Sequence, residues 1–289
     1  MSKKGHILVF LTILIWSAAF IGNKILLRYI SPIEVMLYRF LFAYIVLLVL
    51  YPSWNFPKSV KDELYFFALG FLGIFFYFLL ENFALKYTQA KNVGLYMGAI
   101  PIFTAIIAHF VTKDEKLNKN IIIGFIVAIT GIALILLGGS KFQIKLVGDI
   151  LAIFAALVFA LYSVILRKSP VNYNYIIITR KSFFYGIVLM LIYYITIDRD
   201  FHTEELLRPI VYINIIFLGL FASSLAFIFY KRGVEIIGSV KATNYIYLVP
   251  LLTAVFGILI LDEKINIAMS IGGILILIGL YISQKKSPS

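Results

Sequence analysis

Residues 95–131 read LYMGAIPIFTAIIAHFVTKDEKLNKNIIIGFIVAITG, and residues 244–279 read NYIYLVPLLTAVFGILILDEKINIAMSIGGILILIG. The two stretches follow one pattern, which runs on to Ile135 in the first copy and to Leu280 in the second. The shared positions are Pro101 and Pro250, Thr104 and Thr253, Asp114–Lys116 and Asp262–Lys264, Gly124 and Gly272, and Gly131 and Gly279. A repeated pattern of apolar helices predicts a membrane protein of two related halves, as in many secondary transporters.

The composition places the chain in a membrane. Of its 289 residues, 62% are hydrophobic and 14% are charged, and the mean hydropathy is +0.99. Soluble domains are about 45–50% apolar and about 25% charged. The chain has no cysteine, and its three histidines lie far apart in sequence. We therefore expect no disulfide, no metal site and no cofactor.

Ten apolar stretches are long enough to cross a bilayer, which takes about 20 helical residues. They are residues 6–27, 33–51, 64–86, 92–112, 120–138, 148–167, 175–197, 210–230, 242–261 and 267–283. The break at Gly138–Lys141 divides the chain into a first repeat, residues 1–141, and a second, residues 142–289. Because five helices is an odd number, the second repeat enters the membrane upside down. The predicted fold is an all-α integral membrane protein of ten transmembrane helices in two inverted five-helix repeats.

The charges predict the orientation. The net charge is +12, and an excess of Lys and Arg in loops marks the cytoplasmic side of a membrane protein. The excess lies on the side of the two termini, and the largest opposite loop, Asp198 to Arg208, is rich in acids. We expect a multi-pass protein of the cell (cytoplasmic) membrane with both termini cytoplasmic. No basic and aromatic motif indicates nucleic acid as a partner.

Two charged residues stand inside the predicted spans. Arg39 and Glu81 lie at similar depth, since the helical rise is about 1.5 Å per residue. Charges at such depth usually face a partner or a water-filled cavity. The two side chains would pair across a cavity or bind a substrate that carries both charges; a structural ion pair or extension toward the interface is the alternative. Arg180 is taken as the repeat counterpart of Arg39, at the interface.

Further polar and aromatic residues in the spans predict the lining of a central cavity, because polar groups in hydrocarbon need partners or water. With Arg39 and Glu81, the predicted substrate-binding residues are Trp16, Tyr38, Tyr77, Tyr96, Tyr162, Ser163, Asn244 and Tyr245. Their rings are suited to contact a cation or another ring. For any one tyrosine, packing or a place in the interfacial aromatic belt is the alternative.

Three other features have structural interpretations. Pro101 and Pro250 each remove a helical hydrogen bond and predict kinks that shape or gate the path. Asp114-Glu115 and Asp262-Glu263 are interpreted as helix-start signals. The fifth and tenth helices are almost wholly apolar with spaced glycines, which predicts a peripheral position or a homodimer contact.

Several catalytic motifs are missing from the sequence. It contains no GxxxxGK[ST] phosphate-binding loop, no HExxH and no GxSxG. Glu81 has no neighbouring Asp or His in sequence that would complete an acid–base pair. The chain is therefore not predicted to be an enzyme or to use ATP by itself.

Over nearly its whole length the chain resembles the EamA-type branch of the drug/metabolite transporter superfamily. The residues that carry the resemblance are Ile15–Ser17, Ser31-Pro32, Tyr38–Phe40, Ala84–Ala90, and the Pro101 and Pro250 helices with the Asp-Glu-Lys and glycine-spaced helix after each. In the second half Gly233–Ser239 stands in place of the Ala84 segment, which is a departure. The resemblance implies a central cavity formed by both halves, alternating access, and transport of small metabolites.

The leading functional hypothesis is a secondary transporter that exports small metabolites such as amino acids or amines, with Glu81 as the one acid placed for proton coupling. Its partners would be a small-molecule substrate and the lipid bilayer. One alternative is an importer of an amine or vitamin precursor on the same fold. The alternative from another class is a membrane enzyme or a lipid-handling protein.

Overall fold

The computed structural model describes residues 3–53, 59–137, 143–168, 173–197, 202–261 and 267–285. Within them the chain forms ten helical spans, α1 to α10. The first half contains α1 (Lys3–Leu26), α2 (Pro32–Leu50), α3 (Val60–Tyr87), α4 (Ala90–Met97 with Ile100–Val111) and α5 (Lys119–Leu137). The second half contains α6 (Leu146–Arg167), α7 (Tyr175–Ile197), α8 (Pro209–Ile237), α9 (Ser239–Asn244 with Tyr245–Tyr247 and Leu248–Leu261) and α10 (Ile267–Gln284). Nine spans of the described chain are long and apolar enough to cross a membrane; the tenth is the segmented α9.

The all-helical membrane fold predicted from the sequence is confirmed for the residues described. The predicted break at 138–141 and the second acidic triplet, Asp262–Lys264, lie outside those residues. Local signals explain individual helix ends. At the start of α2, for example, the Ser31 backbone N–H donates to Glu34 (2.8 Å) and the Glu34 N–H donates back to the Ser31 hydroxyl (3.4 Å). This capping box satisfies donors that a helix start leaves free.

The glycine-spaced helices α5 and α10 pack on each other. A Cβ added at Gly131 would lie 2.6 Å from the Gly272 carbonyl oxygen, and one added at Gly124 would lie 2.6 Å from that of Gly279. Moving forward along α5 therefore means moving backward along α10, so the two repeat-equivalent helices run antiparallel. An inverted repeat requires this arrangement. The glycine faces are used within the chain, so a homodimer through these helices would need their lipid-facing sides.

The third helix of each half is widened at its centre by a π-helical segment. In α3 this segment is Gly70–Phe76, and in α8 it is Leu218–Leu225. The Ser224 hydroxyl donates to the Gly219 carbonyl, five residues back, at 2.8 Å, which satisfies a carbonyl that the wider turn redirects. Such π segments are rare and are frequent at functional sites.

The glycines near the start of these π segments show which residues of α2 and α7, the second helix of each half, are equivalent. A Cβ at Gly219 would lie 3.1 Å from the carbonyl oxygen of Arg39, and one at Gly70 would lie 2.5 Å from that of Ser182. The counterpart of Arg39 is therefore Ser182, and the assignment of Arg180 to that role was wrong. Arg180 is buried and donates to two backbone carbonyls just beyond the end of α2. A guanidinium in that place complements a helix C-terminus.

The first acidic pair joins the two halves rather than starting a helix. Asp114 and Glu115 precede the start of α5 at Lys119, and both carboxylates form ion pairs with Arg167 at the end of α6. Glu115 also accepts from the Ser239 hydroxyl (2.5 Å) and the Val240 N–H (2.9 Å) at the start of α9. Interpreting this pair as a helix-start signal for α5 was therefore wrong. Glu115 instead satisfies the first turn of a helix in the other half.

We expect Gly238→Ala to weaken this junction. Gly238 has φ of 90°, which an alanine adopts only with strain, and an added Cβ would lie 2.5 Å from the Arg167 guanidinium. The predicted result is a loss of about 1–3 kcal/mol of stability, seen as a lower melting temperature of the purified protein. Gly94→Ala is the control, because the nearest atom to its added Cβ is a flexible leucine methyl at 3.3 Å. An unchanged melting temperature for Gly238→Ala would contradict the expectation.

Candidate substrate-binding site

Arg39 lies in the middle of α2 and is oriented by one hydroxyl and two rings. Its side chain is 4% exposed, and its Nε donates to the Ser223 hydroxyl at 2.9 Å. The guanidinium carbon lies 5.0 Å from the ring centroid of Phe40 and 5.0 Å from that of Phe78. Ser223 belongs to the π segment of α8, so the second half holds an arginine of the first. Two cation–π contacts stabilise the cation away from water.

Glu81 lies on α3, one turn after the π segment. It is 9% exposed, and its Oε1 accepts a hydrogen bond from the Tyr77 hydroxyl at 3.1 Å. Because residues four apart in a helix are neighbours, Tyr77 reaches Glu81 along their shared helix. Glu81 therefore has one neutral donor from its own helix.

The predicted direct pairing of Arg39 with Glu81 is not seen. The ion pairs found among the described residues, all within 4.0 Å, do not include these two. The two side chains are nevertheless close enough to interact electrostatically. The Arg39 guanidinium donates to the Ser223 hydroxyl, and the Glu81 carboxylate accepts from the Tyr77 hydroxyl. The two charged groups therefore bond to neutral hydroxyls and not directly to each other.

An aromatic wall completes the site. The Trp16 ring lies 5.2 Å from that of Tyr230, 5.5 Å from Phe227 and 5.9 Å from Phe159, and its indole N–H donates to the Ala222 carbonyl (3.0 Å). The Phe159 ring lies 5.0 Å from that of Tyr77, so the wall is continuous with the two charges. We call this group the central cluster: Trp16, Arg39, Tyr77, Glu81, Phe159, Ser163, Ser223, Phe227 and Tyr230.

Two other predicted residues, Tyr162 and Ser163, lie beside this wall. The Ser163 hydroxyl shares a hydrogen bond of 2.8 Å with that of Tyr230, and the Tyr162 ring lies 5.6 Å from that of Phe159. The structure therefore brings together six predicted residues: Trp16, Arg39, Tyr77, Glu81, Tyr162 and Ser163. Sequence reasoning missed Phe159, Phe227 and Tyr230, because single aromatics in apolar helices do not differ in pattern from packing residues.

The remaining four predicted residues lie elsewhere. Tyr38 packs in a separate apolar cluster near Glu34, and the amide of Asn244 donates to the Ser283 carbonyl of α10 at 3.4 Å. Tyr96 interacts with Asp149. The Tyr245 hydroxyl shares a hydrogen bond with the His6 ring. Among the described residues, no hydrogen bond, ion pair or ring contact joins these four side chains to those of Arg39 or Glu81.

The two prolines stand at interruptions of their spans. In α4 the first segment ends at Met97 and the second begins at Ile100, which places Pro101 in the first turn of the second segment. In α9 a 3₁₀ turn precedes the segment that begins at Leu248, with Pro250 again in its first turn. Proline is tolerated there because the first-turn N–H groups have no helical acceptor. The prolines therefore begin new segments, and a gating role stays a prediction.

The charges of the central cluster come from one half only. Ser182 is the counterpart of Arg39, and Tyr230 stands in α8 where Glu81 stands in α3, at the same distance after the π segment. The first half thus supplies one cation and one anion, whereas the second supplies hydroxyls and most of the rings. In the part of the chain that the structure describes, no group of three or more His, Asp or Glu is placed to hold a metal ion.

The apolar spans and the buried polar centre define a multi-pass membrane protein with an internal polar site, the architecture of a solute carrier. The EamA-like transporter family model matches residues 3–137 and 146–284, and the chain belongs to this family. EamA is part of the drug/metabolite transporter superfamily. The protein is therefore a transporter and not an enzyme.

Relatives and a solved structure agree with this assignment. The chain is 30% identical to an uncharacterized transporter of Clostridium kluyveri, over 99% of this chain and 95% of that protein. It is 28% identical to one of Archaeoglobus fulgidus, over 99% of each chain. A crystal structure with 16% sequence identity matches with a TM-score of 0.82, covering 98% of this chain and 99% of that one, which shows a shared fold.

Proposed function

We propose that the protein exports small zwitterionic or cationic metabolites, amino acids or amines, by alternating access through the central cluster. The observation that carries this proposal is the separated pair of buried charges. Among the described hydrogen bonds Arg39 uses only its Nε and Glu81 only its Oε1, each with a neutral hydroxyl. The terminal guanidinium nitrogens suit a carboxylate, and the second carboxylate oxygen of Glu81 suits an ammonium group.

Energetics favour a ligand that carries both charges. An ionised side chain away from water costs several kcal/mol unless a partner compensates it. A zwitterion would give each side chain its complement and would cancel charge within the site. An amine would satisfy Glu81 alone, and a simple carboxylate would satisfy Arg39 alone. The rings of Trp16 and Phe159 would form an apolar surface for the rest of the ligand.

The proposed orientation follows from the loop charges, with both termini in the cytoplasm of a cell whose cytoplasmic membrane holds the protein. The end of the bundle at which α1 begins is then the inner end. The junction of Glu115, Arg167 and Ser239 lies at the same end, because α1 and α9 both begin there and α6 ends there.

Flux through liposomes that contain only the purified protein tests the proposal. We expect saturable counterflow of amino acids or amines, which would also exclude a lipid-handling function. Flux of sugars or simple carboxylates alone would contradict the proposed substrate class. Inside-out vesicles under an imposed pH gradient separate an exporter from an importer. Net uptake of substrate into such vesicles corresponds to export from a cell, and net release corresponds to import.

Glu81 is the proposed site of proton coupling. We expect the amino-acid flux that remains in Glu81→Gln to show no effect of an imposed pH gradient, because glutamine cannot release a proton. Glu63→Gln, on the same helix but bonded to Lys181 and Tyr185, is the matched control and should keep the gradient response. A response that survives in Glu81→Gln would show that coupling, if present, uses another group.

A further inference from the structure

His6 and Tyr245 join the two halves at the end of the bundle where α1 begins. The His6 Nδ1 and the Tyr245 hydroxyl share a hydrogen bond of 2.9 Å, and their ring centroids lie 5.9 Å apart. The backbone of α1 comes very close to the end of α8 at this point, since a Cβ added at Gly5 would lie 2.5 Å from Ile237 and 2.8 Å from Ile236.

Asp149 makes the corresponding junction where α6 begins. It accepts hydrogen bonds from the Thr88 hydroxyl (2.7 Å) and the Asn92 amide (3.1 Å), and it also interacts with Tyr96. The backbone of α6 approaches the end of α3 as closely, since a Cβ added at Gly148 would lie 2.6 Å from the Thr88 nitrogen. These three partners belong to the first half. Asp149 belongs to the second, as does Lys145, whose backbone N–H also donates to the Asp149 carboxylate at 2.9 Å.

The two junctions are equivalent under the relation between the halves. Tyr245 is the repeat counterpart of Tyr96. Gly5-His6-Ile7-Leu8 and Gly148-Asp149-Ile150-Leu151 stand at the same place near the starts of α1 and α6. The equivalent helices of an inverted repeat begin on opposite sides of the membrane, so the His6 junction and the Asp149 junction lie at opposite ends of the bundle.

We propose that two contacts are equivalent closures at the two ends of the transport path, and that each opens when the site is exposed to its own side. One is the His6–Tyr245 hydrogen bond, and the other is the contact of Asp149 with Thr88, Asn92 and Tyr96. The inference rests on the alternating access of the proposed function. When alternating access opens one end of the path, the contacts between halves that close that end separate while those that close the opposite end persist.

The state of the central cluster fits two closed ends. The hydrogen bond between His6 and Tyr245 and those from Thr88 and Asn92 to Asp149 are all formed in this structure. The two buried charged residues, Arg39 and Glu81, are 4% and 9% exposed. Both charged side chains are thus largely shielded from solvent in this structure. The closures differ in chemistry: a histidine shares a hydrogen bond with a tyrosine hydroxyl at one end, and a carboxylate accepts from Thr88 and Asn92 at the other.

Cysteine locks test the proposal, since the natural chain contains no cysteine. One lock is His6→Cys with Tyr245→Cys and the other is Asp149→Cys with Tyr96→Cys, each closed by a short bis-methanethiosulfonate reagent. With Trp54→Phe, Trp16 becomes the only tryptophan, and iodide quenching of its fluorescence in detergent reports access of a water-soluble probe to the central cluster. No transported substrate is needed for this measurement.

We expect either single lock to leave substantial iodide quenching, through the end that remains free, and the two locks together to lower it several-fold. Reducing the crosslinks should restore quenching. The control lock, Asn120→Cys with Lys285→Cys, joins α5 and α10, where the Asn120 amide lies 3.5 Å from the Lys285 carbonyl, and should leave quenching unchanged. Unchanged quenching with both locks closed, or full protection by one lock, would overturn the proposal.

A second pair of variants tests the proposal if the Asp149→Cys protein does not fold. Tyr96→Phe and Tyr245→Phe each remove one hydroxyl from a closure, and each is expected to raise iodide quenching of Trp16; no rise in either would overturn the proposal. The readout also separates the two inferences. If quenching follows the locks while amino acids and amines are not transported, the closures stand and the proposed substrate class fails.

Discussion

Arg39→Gln is expected to abolish amino-acid transport while sparing the transport of simple amines. Glutamine keeps a hydrogen-bond donor near Ser223 but removes the charge that the proposed substrate carboxylate requires. Removing one partner of a buried, hydrogen-bonded charge pair costs about 2–5 kcal/mol. Since about 1.4 kcal/mol corresponds to tenfold in affinity, the loss in apparent amino-acid affinity should be about 30-fold or more. Counterflow in liposomes with a labelled amino acid and a labelled amine measures both.

Glu81→Gln gives the complementary test, since it should lower the transport of amino acids and amines alike. Ser182→Ala is the matched control, because Ser182 holds the place of Arg39 in the second half and its hydroxyl donates to the Ile178 carbonyl of its own helix. A result in which Arg39→Gln lowers amine and amino-acid transport equally would contradict carboxylate recognition by Arg39. It would indicate that Arg39 serves to hold the second half in place through Ser223.

The second large effect is expected on stability, from substitutions at the contact between α5 and α10. In Gly131→Ala, the new methyl group would lie 2.6 Å from the Gly272 carbonyl oxygen and 2.9 Å from the Ile276 nitrogen. Both neighbours are backbone atoms, which do not rotate away as a side chain does. Overpacking of this kind typically costs about 1–3 kcal/mol. We expect a clear fall in the melting temperature in detergent, and a larger fall for Gly131→Leu.

The Gly94→Ala variant distinguishes crowding from a general effect of replacing a helical glycine. An added Cβ at Gly94 meets only a leucine methyl, at 3.3 Å, so it should be neutral or slightly stabilising. A stable Gly131→Ala protein would mean that α5 and α10 separate easily. In that case the antiparallel contact would not be a fixed part of the scaffold around the central cluster.

The asymmetry of the central cluster suggests how one repeat has become specialised. Both halves keep the π segment, the glycine at its start and the ring contact between Phe40 and Phe183, whose centroids lie 5.1 Å apart. The charges, however, are present on one side only. A substrate would therefore bind in one orientation, with its charged groups toward α2 and α3. Because each charge occurs once in the central cluster, a substitution at Arg39 should remove carboxylate recognition, and one at Glu81 should remove ammonium recognition.

The sequence by itself determined the class of the fold and the location of the charges. Hydropathy and length identify membrane helices because lipid accepts only long apolar segments whose backbone is hydrogen-bonded internally. The repeated motif around Pro101 and Pro250 identified two halves, and membrane-depth charges such as Arg39 and Glu81 stand out because they are rare in such spans. These signals are local or periodic, so they need no knowledge of which helices touch.

Only the tertiary structure decided which residues are partners. In the structure Arg39 donates a hydrogen bond to Ser223 and forms no direct ion pair with Glu81, and Tyr96 and Tyr245 lie at opposite ends of the bundle. The structure also shows that Ser182, and not Arg180, is the counterpart of Arg39, and that Glu115 accepts a hydrogen bond at the start of α9. These contacts depend on helix rotation and on the extra residue in a π-helical turn, both set by the packing of helices distant in sequence. The spacing of residues along the chain predicts neither the helix rotation nor the extra residue of the π-helical turn.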